Sequence, residues 1–174
     1  KQYEEAIKDL DKAIELDPES YDSFERRGCC KYELNQYEEA IKDLDKAIEI
    51  DRSNTDSWSY RGRSKYFLEH YEEAIKDLDV AIVFDPEDSS NWNFRGRSKY
   101  FLEHYEEAIR DLDKAIELDP EDSSNWNFRG RSKYFLKHYE EAIRDLDKAI
   151  ELNPEDYINW NFRGRSKHFL DHDK

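Results

Sequence analysis

Apolar side chains recur at helical spacing inside blocks of this chain, and the blocks themselves recur. Within residues 89–122, Tyr105, Ala108, Ile109, Leu112, Ala115 and Ile116 fall at i, i+3, i+4, i+7, i+10 and i+11. That is a single apolar stripe about 100° wide, the pattern of an amphipathic helix with one face on a core. The pattern predicts that this helix, here called B, stops near Asp119, because Pro120 disfavours helical geometry in the residue before it. Glu121-Asp122-Ser123-Ser124 then supplies several N-cap candidates for the next helix. Upstream, a helix A is predicted from Ser90 to Glu103. Trp92, Gly96 and Lys99 share one side of it, and Ser90, Asn93, Phe94, Arg97, Tyr100 and Phe101 the other.

One 34-residue period places all four tryptophans, Trp58, Trp92, Trp126 and Trp160, at a single phase. The five glycines, among them Gly96 and Gly130, share a second phase, and the four prolines a third, with Arg52 in the remaining place. Every alanine lies at one of two phases seven residues apart, which is two helical turns. The unit is therefore two helices and two short turns. Residues 21–54, 55–88, 89–122 and 123–156 are complete units, with a lone helix B over 1–20 and a lone helix A over 157–174. A glycine inside helix A costs about 1 kcal/mol relative to alanine. The repetition of that cost at Gly96 and its equivalents predicts close packing against the Ala108 region.

Trp92-x2-Arg95-Gly96 followed by Ala108, Leu112, Ala115 and Pro120 resembles the tetratricopeptide repeat, and the resemblance covers all 174 residues. Three positions depart from the usual pattern: Arg95 stands where leucine is common, Tyr100 is one place late, and Leu112 replaces a frequent aromatic. The resemblance implies an all-α, right-handed superhelical solenoid of antiparallel helix pairs, read as one array over 1–174. In that family the A helices line a concave groove and the B helices face outward. A unit of this kind cannot bury its own core, so the array is expected to behave as one cooperative object.

Charged residues make up 41% of the chain and apolar residues 37%, a balance close to that of disordered chains. The periodicity is what argues for a fold. The formal charge of -15 sets the chain as a whole against nucleic acid and against anionic membrane, since binding to either begins with basic patches. Cys29 and Cys30 are adjacent, which is neither a disulfide framework nor a metal-binding spacing, and a reducing, cytoplasmic compartment is expected. On helix A they point about 100° apart and are not expected to pair. Cys30 stands where other units carry serine, as small core filling, and Cys29 replaces a groove arginine. There is no apolar leader and the first residue is Lys1, so the chain reads as a piece of something longer.

Enzymatic signatures are absent: no phosphate loop, no nucleophile elbow, no paired metal motif. No enzyme activity and no cofactor are expected. His70, His104, His138 and His172 share one phase in the A-to-B turn and read as solvated turn residues. His168 and His172, at i and i+4 beside Asp171 and Asp173, form a weak adventitious metal position at most.

Arg61, Arg95, Arg129 and Arg163 sit at a phase that faces helix B, where an unpaired buried charge costs several kcal/mol. Each is predicted to pair with an aspartate of helix B, Asp111 or Asp113 in the case of Arg95. The opposite face carries Asn93, Arg97, Tyr100 and Phe101, repeated as Asn127, Arg131, Tyr134 and Phe135. Arg63 and Tyr66 extend the row in one direction, Asn161 and Arg165 in the other. Asparagine offers a donor and an acceptor to a peptide backbone, arginine a planar fork for carboxylate or carbonyl oxygen, and the aromatics stacking area. Packing between successive A helices is the competing role, strongest for Phe94 and Phe101.

Residues 89–104 carry +2 and residues 105–122 carry -6, so a mildly basic groove and an acidic back are expected. The lysine and asparagine pattern of the family's carboxylate clamp is not met at these phases, nor is its asparagine ladder. The sequence thus points to a scaffold that binds an extended peptide segment of a partner protein in the groove, with carboxylate-bearing segments among the candidates. The alternative is self-assembly by head-to-tail stacking or swapping of incomplete terminal repeats into homo-oligomers. Units 89–122 and 123–156 are identical at 32 of 34 positions, so one end resembles the next.

Overall fold

The computed structural model describes residues 2–172, and side chains as far as Asp171. Among the described residues there are ten α-helices and no strand. They are α1 (Gln2–Leu16), α2 (Tyr21–Glu33), α3 (Tyr37–Ile50), α4 (Thr55–Phe67), α5 (Tyr71–Phe84), α6 (Ser89–Phe101), α7 (Tyr105–Leu118), α8 (Ser123–Phe135), α9 (Tyr139–Leu152) and α10 (Tyr157–His172). The fold is an all-α repeat solenoid of antiparallel helix pairs, with even-numbered helices as A and odd-numbered helices as B. The chain divides into two compact units, residues 1–86 with α1 to α5 and residues 87–174 with α6 to α10. Within each unit an A helix packs on the B helix that follows it, on the B helix that precedes it where the unit holds one, and on the neighbouring A helix.

The predicted boundaries of helix B hold, with α7 ending at Leu118 and Asp119 as its C-cap. Of the N-cap candidates after Pro120, Asp122 takes the role, its carboxylate accepting from the Ser124 N–H at 2.8 Å. Helix A is shorter than its pattern suggests. It closes at Phe101, and Glu103 turns into the left-handed region with φ of 63°. The His104 N–H then reaches the Lys99 carbonyl at 2.9 Å and the Glu103 N–H the Tyr100 carbonyl at 3.0 Å, a Schellman closure that reverses the chain in three residues. Asn35, Glu69 and Lys137 do the same. A side chain in this conformation costs about 1 kcal/mol that glycine would not, and the absence of glycine hid the turn from the sequence pattern.

The core of each repeat is narrow. Leu112, Ala108 and Ala115 are fully buried, as are Leu44, Leu78, Leu146 and the alanines at the same phases in α3, α5 and α9. Gly96 permits this closeness: a Cβ there would lie 2.9 Å from Leu112 Cγ and 3.3 Å from the Ala108 carbonyl oxygen. Gly130 meets Leu146 and Ala142 in the same way, whereas a Cβ on Gly164 would meet nothing within 4 Å. Two chemically identical substitutions should therefore act with opposite sign. Gly164→Ala should add about 1 kcal/mol to the free energy of urea unfolding from helix propensity alone. Gly130→Ala should lower it by about 1–2 kcal/mol, because the overlap with Leu146 outweighs the same propensity gain.

Candidate functional site

Arg27, Arg61 and Arg129 are held by carboxylates on both sides, and Arg163 by Asp147 of the preceding helix B at 2.8 Å. Arg61 places Nε and Nη2 on the two oxygens of Asp77 in α5, each at 2.7 Å, and Nη1 on Asp45 of α3 at 2.6 Å. Arg129 repeats this with Asp145 and Asp113, and Arg27 with Asp43 and Asp11. Of the two carboxylates predicted for Arg95, Asp111 is its bidentate partner at 2.6 and 2.9 Å, while Asp113 serves Arg129 of the next repeat.

A lysine joins each cluster: Lys65 reaches Asp77 and Lys133 reaches Asp145, both at 2.9 Å. The helical wheel places Lys99 on this side without showing that it reaches the same carboxylate. Trp58 and Trp126 cap the guanidinium groups of Arg61 and Arg129 at 4.7 and 4.8 Å. Burial works against the charge of Arg61, but Asp77 and Asp45 outweigh it and hold its pKa above the usual arginine range. Asp77 and Asp145 are 3% and 4% exposed, so these pairs belong to the interior.

The opposite face divides into covered and open groups. Asn93 is buried, its Nδ2 donating to Ser124 Oγ at 2.9 Å and Asn125 Oδ1 at 2.5 Å in the next A helix. Asn127 is buried likewise and donates to Asn159. Tyr66, Tyr100 and Tyr134 are also buried. Burial pushes the Tyr100 hydroxyl pKa up, with Arg131 opposing it through its charge and a 3.2 Å hydrogen bond. Asn93, Asn127, Tyr100 and Tyr134 join repeats, and Tyr66 packs on Phe67 and Tyr71 of its own repeat. Sequence periodicity fixes which face they occupy and is silent on what covers that face. Asn91, Asn125 and Asn159 are fully buried and were not singled out by the sequence pattern.

Arg63, Arg97 and Arg131 are half-buried, lying across aromatic rings. Arg131 sits over Tyr100, Phe128 and Phe162 at 4.6, 4.7 and 5.0 Å. Phe101 and Phe135 are 42% and 41% exposed, and Phe135 stacks on Tyr105 at 4.9 Å. Asn161 and Arg165 on α10 are exposed. Tyr134, Phe135 and Arg165 converge on one cavity of about 420 Å3, completed by Lys137, Tyr139 and Phe169. Arg165 lying over Tyr134 at 4.8 Å, with Lys137 in the same wall, suits a carboxylate carried on an apolar or extended segment.

His70, His104 and His138 are exposed. The His172 side chain and Asp173 of the histidine pair lie outside the described residues. Among the described residues no group of three or more metal-binding side chains gathers, and no helix is long and apolar enough to cross a membrane.

The ion clusters make a prediction about unequal carboxylates. Asp145→Ala leaves Arg129 and Lys133 buried without their shared anion and should cost about 3–5 kcal/mol in urea unfolding. Asp113→Ala, whose side chain is 55% exposed, should cost less than about 1 kcal/mol.

Family models described as Tetratricopeptide repeat match residues 1–20, 21–54, 89–122 and 123–156. A search of curated protein sequences finds no match. Among solved structures, MamA superposes with a TM-score of 0.81 at 19% identity, covering 89% of this chain and 91% of its own. YrrB, described as a TPR protein with an unusual peptide-binding site, gives 0.80 at 24% identity, covering 92% and 82%. The C-terminal part of a TPR repeat-containing protein from Cytophaga hutchinsonii gives 0.79 at 25% identity, covering 99% and 68%.

Proposed function

This chain belongs to the tetratricopeptide-repeat family, and we propose that it is a scaffold holding an extended peptide segment of a partner protein on its A-helix face. The observation that carries this reading is the cavity where Arg165 and Lys137 stand beside the rings of Tyr134, Phe135 and Phe169. Arg97 and Arg131 are the ligand-facing members in the repeats before it, with Arg63 at the same phase. Each is pre-set on ring faces, so little side-chain freedom is lost on binding. Asn93 and Asn127 act one step back: their Oδ1 atoms accept from Arg97 and Arg131 at 3.4 and 3.3 Å and aim the guanidinium groups. Tyr66, Tyr100 and Tyr134 supply the floor, and Phe101 and Phe135 the open apolar contact. A ligand bearing carboxylates is the one this set favours.

One observation favours a second reading, self-assembly by stacking of copies. Residues 89–122 and 123–156 are identical at 32 of 34 positions, so the surface one repeat presents to the next would suit the repeat of a second copy.

Selection from a random-peptide display library tests the first reading. The wild-type chain should enrich a motif containing aspartate, glutamate or a free carboxyl terminus, and Arg165→Gln should bind the selected peptide about tenfold more weakly with its helicity unchanged. Equal enrichment on a variant with Arg97, Arg131 and Arg165 all changed to glutamine would remove the groove as the site. Light scattering over a concentration series addresses the second reading, which a strictly monomeric chain would eliminate.

A further inference from the structure

Arginine and ring alternate along the A-helix face of residues 87–174. Arg97 of α6 and Arg131 of α8 both lie over Phe128, at 4.8 and 4.7 Å. Arg131 and Arg165 of α10 both lie over Phe162, at 5.0 and 5.1 Å. Each ring thus ties two guanidinium groups. Neighbouring charges in the row therefore stand no more than about 10 Å apart, in keeping with the 8–10 Å between packed helix axes. The step is regular because its sources are. Residues 89–122 and 123–156 are identical at 32 of 34 positions, and α8 packs on both α6 and α10. Asn93 and Asn127 hold Arg97 and Arg131 from equivalent places, at 3.4 and 3.3 Å.

An extended ligand that offers one carboxylate to each arginine must match that step. In a β-strand, side chains on one side recur after about 7 Å, and then after about 13 Å, so neither interval fits. A polyproline II segment has three residues per turn and rises about 3.1 Å per residue, so every third side chain returns to the same side after about 9 Å. The residues between the carboxylates then need apolar surface. Phe101 and Phe135, at one phase of successive A helices and 42% and 41% exposed, offer open rings of the kind on which proline-rich segments pack.

We propose that the row Arg97, Arg131 and Arg165 reads a polyproline II segment with a glutamate or aspartate at every third position, one carboxylate to one repeat, and proline or other apolar residues between. Each guanidinium takes a carboxylate on its planar fork, and the rings that hold it limit the freedom lost on binding. This rests on the peptide-binding reading above and adds a register to it: the ligand's period of three residues runs in step with the protein's period of 34.

The probes are two acetylated, amidated nine-residue peptides of one composition, titrated calorimetrically into the full chain. One is three Glu-Pro-Pro triplets; its isomer carries the three glutamates at alternate positions among the same six prolines. The triplet peptide should bind at least about tenfold more tightly than the isomer, and Gln-Pro-Pro triplets should not bind measurably. Arg131→Gln, with helicity unchanged, should weaken the triplet peptide about tenfold and the isomer less, so the preference shrinks. Equal affinity of the two isomers, equal binding of the glutamine triplets, or a preference that survives Arg131→Gln intact would overturn the register. Failure of the triplet peptide while a library-selected carboxylate peptide still binds rejects the register alone. Failure of both rejects the peptide-binding reading with it.

Discussion

The aspartate buried between helices A and B is the constraint on which the rest of the structure depends. Asp77, Asp111 and Asp145 each receive the two-pronged grip of an arginine sixteen residues earlier, together with a lysine. Arg61 and Arg129 also reach a second aspartate sixteen residues before them, on the B helix of the preceding repeat. One guanidinium therefore fixes an A helix to two B helices at once. Sliding either helix by a turn would strand a buried charge, at a cost of several kcal/mol. The register so fixed brings Gly96 and Gly130 against the leucines of helix B, and that closeness gives a chain with so few apolar residues a fully buried core.

Fixing one arginine per repeat determines the placement of the other. Arg95 and Arg97 are two residues apart on a helix, about 200° around its axis, so when the first faces helix B the second faces the opposite side. There it meets rings from its own and adjoining A helices and becomes a cation with little freedom. The repeats thus share a scaffold and differ in what that second position offers. Arg131 lies over rings of three A helices, whereas Arg165 stands beside Lys137 in the wall of a cavity and α2 carries Cys29 at this position.

The fold was legible because its constraints are periodic. Alanine, glycine and tryptophan each occupy fixed phases, and Pro120 marks the end of helix B. The Arg–Asp pairing could be anticipated from the cost of an unpaired buried charge, and the Asp111-Leu112-Asp113 pattern contains both partners an arginine needs. The division of those partners between Arg95 and Arg129 could not be read, since it depends on how neighbouring repeats abut. The left-handed turn at Glu103 carried no glycine to announce it. On the candidate site, the pattern grouped Asn93 with Arg97 by face, whereas the next helix covers Asn93 and leaves Arg97 half open. Cys29 was visible as a missing arginine.

The central claim is that the two arginines of a repeat do different work, and a comparison of Arg129→Gln with Arg131→Gln tests it most directly. Each variant is measured twice, for urea unfolding and for affinity toward a carboxylate peptide selected on the wild-type chain. Arg129→Gln should lose about 3–5 kcal/mol of stability and, where still folded, bind like wild type. Arg131→Gln should lose at most about 1–2 kcal/mol and bind about tenfold more weakly. Equal losses of stability in the two variants, or binding that follows Arg129 instead of Arg131, would contradict the account.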